Sequence, residues 1–263
     1  MKKSVLIGLF AIACGSAFAI TGTEAVQKYY DVNPAPKFSR TEFKVDTYKG
    51  SSLDDSVGLV QYGRDSSGLT ETVFEVTKNT SLKGTRFLQS QKKGEDARFI
   101  YTPALRQVRR IGVQDSSKSF VGTEFTYNDT SMREIDEDTH ELMAENESVS
   151  ISGTSYTCWK VKSTPVIKKN IEYDYRIQYI DHVSAMPVKI EYFDKNGSNT
   201  KTMEIKKLGK ITGKTGISHW TRLVTEMTNK KTGRRSVLTI TNQVLDEQLK
   251  AGYFSQSWLM TGK

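Results

Sequence analysis

The octapeptide "YDYRIQYI", Tyr173–Ile180, alternates strictly: Tyr173, Tyr175, Ile177 and Tyr179 share one parity, and Asp174, Arg176 and Gln178 share the other. A period of two marks an extended strand whose faces differ in polarity. Val188, Ile190 and Tyr192 repeat the pattern next door. Earlier, Phe43, Val45 and Thr47 alternate with Glu42, Lys44 and Asp46, Phe74 and Val76 flank Glu75, and Phe99 and Tyr101 flank Ile100. "DSSG" (Asp65–Gly68) and "DKNGSN" (Asp194–Asn199) separate such runs, and Asn and Gly tolerate the positive φ of tight hairpins. About ten or eleven short strands with no repeat period predict a mainly β chain, built as one large, strongly curved antiparallel sheet.

Two segments read as helices. Thr21-Gly22-Thr23-Glu24 has capping-box spacing, and Val26, Tyr29 and Tyr30 follow at helical intervals before Pro34 and Pro36. "NQVLDEQLKAGYF", from Asn242, reads as a second short helix. Residues 1–19 read as a signal peptide rather than fold. Lys2 and Lys3 precede a short apolar run, and Ala17-Phe18-Ala19 is a small-x-small cleavage site. Ala11-Ile12-Ala13-Cys14 also resembles a degenerate lipobox, which makes Cys14 a candidate lipidation site. Residues 20–263 are then a single domain, with no linker or composition break inside it.

Loss of Lys2 and Lys3 takes the formal charge from +8 to +6. That balance suits anionic partners such as phospholipid headgroups, and it is also an ordinary solubility device. Cys158 is the one cysteine left after the leader, so no internal disulfide forms, and its place beside Trp159 predicts a buried, inert thiol.

Several chemistries lack their residues. In "LGKITGKT", Leu208–Thr215, three residues separate the glycines where a phosphate loop needs four, so a β-turn is expected. No nucleophile elbow occurs, and His140, His182 and His219 are scattered. No catalytic residue, metal site or cofactor is assigned. Nucleic acid fits poorly, because the aromatics share faces with Ile and Val rather than with cations. Seven acids between Glu134 and Glu147 contain no Gly turn for a hard-cation loop and read as a solvated strand edge or loop.

"DARFIYTPALRQVRRIGVQDSSKSFVGTEFTYND", Asp96–Asp129, combines a strand that stops at Pro103, an Arg106/Arg109/Arg110 cluster, and a Gly-containing loop with Phe120, Phe125 and Tyr127. The arginines either hold phosphate or carboxylate, or pair with Glu124, Asp129 or the acids of Glu134–Asp138. The second reading is favoured because those acids are close in sequence. Together with "GTRFLQSQ" (Gly84–Gln91), this block resembles the bacterial outer-membrane lipoprotein-sorting family, relatives of the LolA/LolB carriers. Gly84, Leu88, Tyr101, Pro103, Arg109, Arg110, Ile111, Ser119, Phe120, Gly122, Phe125 and Asp129 carry the likeness. It continues through Val188–Ile205 and Leu245–Leu259.

The resemblance implies an incomplete β-barrel of about eleven strands with short helices as a lid, around an apolar cavity that holds acyl chains. It implies no catalytic residues and no ligand contacts at particular positions. The sequence-based expectation is a non-enzymatic periplasmic carrier or receptor for lipoprotein acyl chains or phospholipid. Peripheral membrane contact, outer-membrane association as a lipoprotein and envelope transporter components as partners are part of that reading. The alternative is a cell-envelope interaction protein, either a surface adhesin or an accessory subunit of an exporter. Phe43, Phe74, Phe99, Tyr101, Tyr175, Ile177 and Tyr179 are the cavity-facing candidates, and Arg109 and Arg110 the rim candidates. The lid candidates are the helix at Thr21 and the loop from Phe120 to Tyr127.

Overall fold

The computed structural model describes residues 19–66, 68–92, 95–131 and 133–263. Apart from Ala19, the leader lies outside the described residues, and so does Cys14. Thirteen strands follow in order: β1 (Phe38–Lys49), β2 (Ser52–Ser66), β3 (Leu69–Lys78), β4 (Arg86–Lys92), β5 (Glu95–Thr102), β6 (Gln107–Arg110), β7 (Asp138–Ile151), β8 (Thr154–Pro165), β9 (Tyr175–Asp181), β10 (Pro187–Phe193), β11 (Asn199–Thr212), β12 (Ser218–Asn229) and β13 (Arg234–Leu245). They form one sheet in the order β6-β5-β4-β3-β2-β1-β13-β12-β11-β10-β9-β8-β7.

Sequential strands pair antiparallel, except β6 and β7, which lie at opposite ends of the sheet. The one non-sequential neighbour pair is β1 with β13, also antiparallel. The sheet is therefore two meanders, β1–β6 and β7–β13, fused along the β1/β13 ladder. It curves but does not close, so β6 and β7 are free edges. Thirteen strands are present where ten or eleven were expected. The acid-rich stretch that forms most of β7 lacks a clean apolar alternation and reads equally as strand edge or loop, which accounts for part of the shortfall.

The chain between β6 and β7, residues 111–137, links the two free edges by crossing the concave face. Phe120 and Tyr127 of this crossover pack among Val45, Leu59, Val76 and Phe87 of the first meander. Phe125 packs instead with Ile190, Tyr192, Met203 and Met227 of the second. The crossover plugs part of the interior and touches both halves of the sheet.

Helix α1 (Gly22–Val32) has the expected capping box: Glu24 N–H donates to Thr21 Oγ1 at 3.1 Å, and Thr21 N–H donates to Glu24 Oε2 at 2.7 Å. Ala25 and Val26 pack on Val161 and Ile180 of β8 and β9. Gly22 is needed there, because a Cβ would lie 2.7 Å from the His140 carbonyl oxygen and 2.8 Å from Leu142 N.

The second expected helix is misplaced. Asn242–Leu245 finish β13, where their backbone pairs with β1. Asp246, with φ of 59°, ends the extended run. Helix α2 (Gln256–Thr261) starts later, because Ser255 Oγ caps it by accepting from Trp258 N–H at 3.1 Å, and Gly262 stops it in the left-handed conformation. Trp258 and Leu259 of α2, with Phe254, cover the convex face over Val73, Leu88, Phe99 and Tyr101.

The remaining turns and edges fall where the sequence puts them. Asp65–Gly68 and Asp194–Asn199 make the β2–β3 and β10–β11 hairpins, and Gly213–Ile217 is a turn between β11 and β12. Of the acid-rich segment, Glu134, Asp136 and Glu137 precede β7 in the crossover and Asp138 is buried, while Glu141, Glu145 and Glu147 lie on the free edge strand β7, where charge discourages pairing with another chain.

Candidate functional site

Between the concave face, α1 and the crossover lies a cavity of about 1300 Å³, open to solvent on part of its surface. It exceeds the roughly 300–1,000 Å³ of ordinary small-molecule sites. Its apolar wall includes Phe43, Phe74, Ile180, Ile190, Met203 and Ile240. Val113, Val166 and Ile167 line it too and are 67 %, 61 % and 74 % exposed, so its mouth carries exposed apolar side chains beside charged ones such as Arg110, Glu134 and Lys169.

Of the cavity candidates, Phe43 and Phe74 line this space. Phe99, Tyr101, Tyr175, Ile177 and Tyr179 do not, and the facing inferred for them is corrected. Phe99 and Tyr101 point to the convex side, under α2. Tyr179 and Ile177 join a convex cluster with Cys158 and Val188. Tyr175 stacks on Phe193, with centroids 4.8 Å apart. In β9 the polar parity faces inward, and Arg176, Gln178 and Ile180 line the cavity.

Lysine stems make this inversion stable. Lys162 lies over Tyr175 at 4.8 Å, while Lys160 and Lys189 lie over Tyr179 at 5.4 and 5.1 Å. Amphipathic side chains thus shield the outward aromatics. A register irregularity beside Pro187 in β10 also puts Val188 outside and Ile190 and Tyr192 inside, so these three do not share one face. Tyr173, one parity group with Tyr175 in sequence, precedes β9 and packs inside.

Arg109 and Arg110 are exposed at the edge strand, and Arg110 borders the cavity. Among the described residues, Glu124, Asp129 and Asp138 pair with other cations. Arg234 takes Glu124 at 2.9 Å, Lys201 takes Asp129 at 2.8 Å, and Asp138 is taken by Arg133 at 2.7 Å and Arg176 at 2.9 Å. Sequence proximity misled because the crossover carries these acids away from β6 to distant strands.

Two buried charge clusters anchor the crossover. Lys201 Nζ donates to Asp129 Oδ2 at 2.8 Å and Glu172 Oε1 at 3.2 Å, and sits 4.6 Å from the Tyr192 ring centre. Burial opposes the Lys201 charge, but Asp129, Tyr192 and Glu172 outweigh it and hold its pKa above the usual value. In the second cluster the Asp138 side chain, 1 % exposed, is shared by two guanidiniums. Arg133 donates to it through Nε and Nη2, and Arg176 through Nη2.

Beside them His140 Nε2 meets the Ile135 carbonyl at 3.0 Å and Nδ1 meets Ser163 Oγ at 2.8 Å. A carbonyl only accepts, so Nε2 carries the proton and Ser163 donates to Nδ1. Burial pushes the His140 pKa below 6.5. Arg98, Arg133, Arg176, Asp138 and His140 were not singled out in the sequence as interior groups. The available signal was the polar parity of "YDYRIQYI", which read as a solvent face. Cys158 is buried as expected, and burial pushes its thiol up to about 12.

Comparison with solved structures finds the same architecture. A domain described as an outer membrane lipoprotein-sorting protein domain from Vibrio parahaemolyticus superposes with a TM-score of 0.79 at 21% identity, over 91% of this chain and 98% of that one. A DUF1329 family protein from Desulfovibrio piger gives 0.80 at 20% identity, over 90% and 97%. A LolA superfamily protein from Nitrosomonas europaea gives 0.67 at 15% identity, over 91% and 100%. No curated protein matches the sequence. A family model, described only as an uncharacterized protein, matches residues 68–261. The chain belongs to the family that this model describes, and its fold is that of the outer membrane lipoprotein-sorting and LolA-superfamily structures.

Proposed function

We propose that this protein is a non-enzymatic periplasmic carrier or receptor that holds the acyl chains of lipoproteins or lipids in its concave cavity. The observation that carries the reading is the cavity itself: about 1300 Å³ of partly apolar space inside a sheet whose own side chains do not fill it. Burial of each CH₂ contributes about 0.8 kcal/mol, so a single long chain supplies ample driving force. The exposed Val113, Val166 and Ile167 at the mouth suit transient contact with a membrane surface. No helix among the described residues is long and apolar enough to cross a membrane, which says nothing of strands. The likeness to lipoprotein-sorting folds, the leader-like N-terminus and the candidate Cys14 agree with a place in the cell envelope.

Native mass spectrometry of the protein recovered gently from envelopes tests the reading. Co-purifying acyl lipid at about one equivalent, released by organic extraction, is the expected result. An empty protein that also takes up no lipoprotein in a transfer assay would sink it.

A further inference from the structure

The Arg133–Asp138–Arg176 cluster has two cations for one carboxylate. All three Asp138 contacts from Arg133 use Nε or Nη2, and Arg176 uses Nη2. Neither Nη1 has a hydrogen-bond partner among the described residues, and neither is among the fully buried atoms that lack one, so both retain open surface. Arg133 and Arg176 both line the cavity, with side chains 16 % exposed. Within the sheet, Arg176 pairs across to Tyr192, and next to them Gln178 pairs with Ile190, which pairs on to Met203. A guanidinium edge therefore adjoins an apolar wall inside one cavity. The crossover's acids Glu134, Asp136 and Glu137 also border the cavity, but all three are solvent-exposed, where water and salt screen them. Arg98 is a further mostly buried cation on the lining. It is held by Ser116 and Ser131 hydroxyls, and its nearest carboxylate, Asp96, is 3.6 Å away.

We infer that the cavity selects an acidic amphiphile, whose carboxylate or phosphate docks on the open Nη1 edges of Arg176 and Arg133 while its chain lies along Ile190 and Met203. The inference rests on the carrier reading and narrows it. The acylated, ester- and amide-linked terminus of a lipoprotein offers no anion to these arginines, whereas a fatty acid or an acidic phospholipid does. Guanidinium groups match both carboxylate and phosphate in forked geometry.

The test displaces the uncharged dye Nile red from the purified protein with oleate, with oleyl alcohol, and with oleoyl lysophosphatidylglycerol. The acids are expected to compete about tenfold or more better than the alcohol, the factor one charge-assisted hydrogen bond supplies. The acid with the greater advantage names the source of the anion. Arg176→Met is expected to bring acid and alcohol together while dye uptake persists. Should that variant fail to fold, Arg176→Met/Asp138→Asn carries the same test, since it leaves no buried unpaired carboxylate. Equal competition by acid and alcohol in the unaltered protein overturns the headgroup assignment and leaves the cavity reading standing. An acid preference that survives Arg176→Met overturns the role of Arg176. Absence of dye uptake, or of displacement by any of the three, overturns both readings together.

Discussion

His140 illustrates how one side chain ties local hydrogen bonding to the pH response of the fold. Its Nδ1 takes a proton bond from Ser163, whose oxygen in turn accepts Gln178 Nε2–H at 2.7 Å. That chain of donors works with a neutral ring, and burial holds the ring's pKa below 6.5. The unfolded chain takes up this proton at about pH 6.5, and the folded chain resists it. The stabilisation is complete above that pH and drains away as pH falls toward the lower folded value. Urea midpoints taken at about pH 7.5 and about pH 5 should separate more for the unaltered protein than for His140→Gln. Parallel losses in the two proteins would remove His140 from this role. Nothing in the sequence marks His140 as interior, because its neighbours Thr139 and Glu141 are both exposed on a strand that looks solvated. Cys158 was legible, by contrast, because a lone thiol in an alternating run has few other places to go.

At the scale of elements, α1 was fully readable: the capping box is a local signal satisfied by neighbours three residues apart. The hairpins at Asp65–Gly68 and Asp194–Asn199 were readable for the same reason. What failed was the choice of face. Alternation states that a strand has two unlike sides and is silent on which side meets the cavity. The greasier parity of β9 lies outside under lysine stems, and the parity with Arg176 lies inside. Fold-level reasoning that puts apolar residues inward fails here because this interior is partly a wet, charged space.

The crossover gives a sharper prediction at the same scale. Lys201 holds Asp129 of the crossover and Glu172 of the β8–β9 connection. Lys201→Met strands both carboxylates in a low-dielectric site, at a cost of about 3–5 kcal/mol. Denaturant titration should read that loss, and limited proteolysis should show new cuts around residues 112–131. A loss below about 1 kcal/mol with an unchanged digest would mean the clamp is idle.

For the molecule as a whole, the sequence supported one continuous antiparallel sheet, and the family likeness added that it stays open. Which block carried that likeness now has a physical explanation. Within Asp96–Asp129, residues 111–129 belong to the crossover that enters the interior, so Phe120 and Tyr127 answer to one meander and Phe125 to the other. The same topology predicts that the protein can be divided. Fragments ending at Ser117 and beginning at Lys118 would carry β1–β6 and β7–β13. Their common border is the β1/β13 ladder, in register from Ser39 opposite Leu245 to Lys49 opposite Arg234. Co-expressed, they should purify as an equimolar pair with the circular dichroism of the intact chain. Recovery of either half alone and unfolded would show that the covalent link, and not the ladder, unites the two meanders.

The crossover is also moored to both rims of the opening. Spreading the rims must tug on the stopper, and seating the stopper must draw the rims inward. On the proposed carrier reading, admitting a guest and widening the gape would be one motion, like a drawstring purse whose cord runs through its contents.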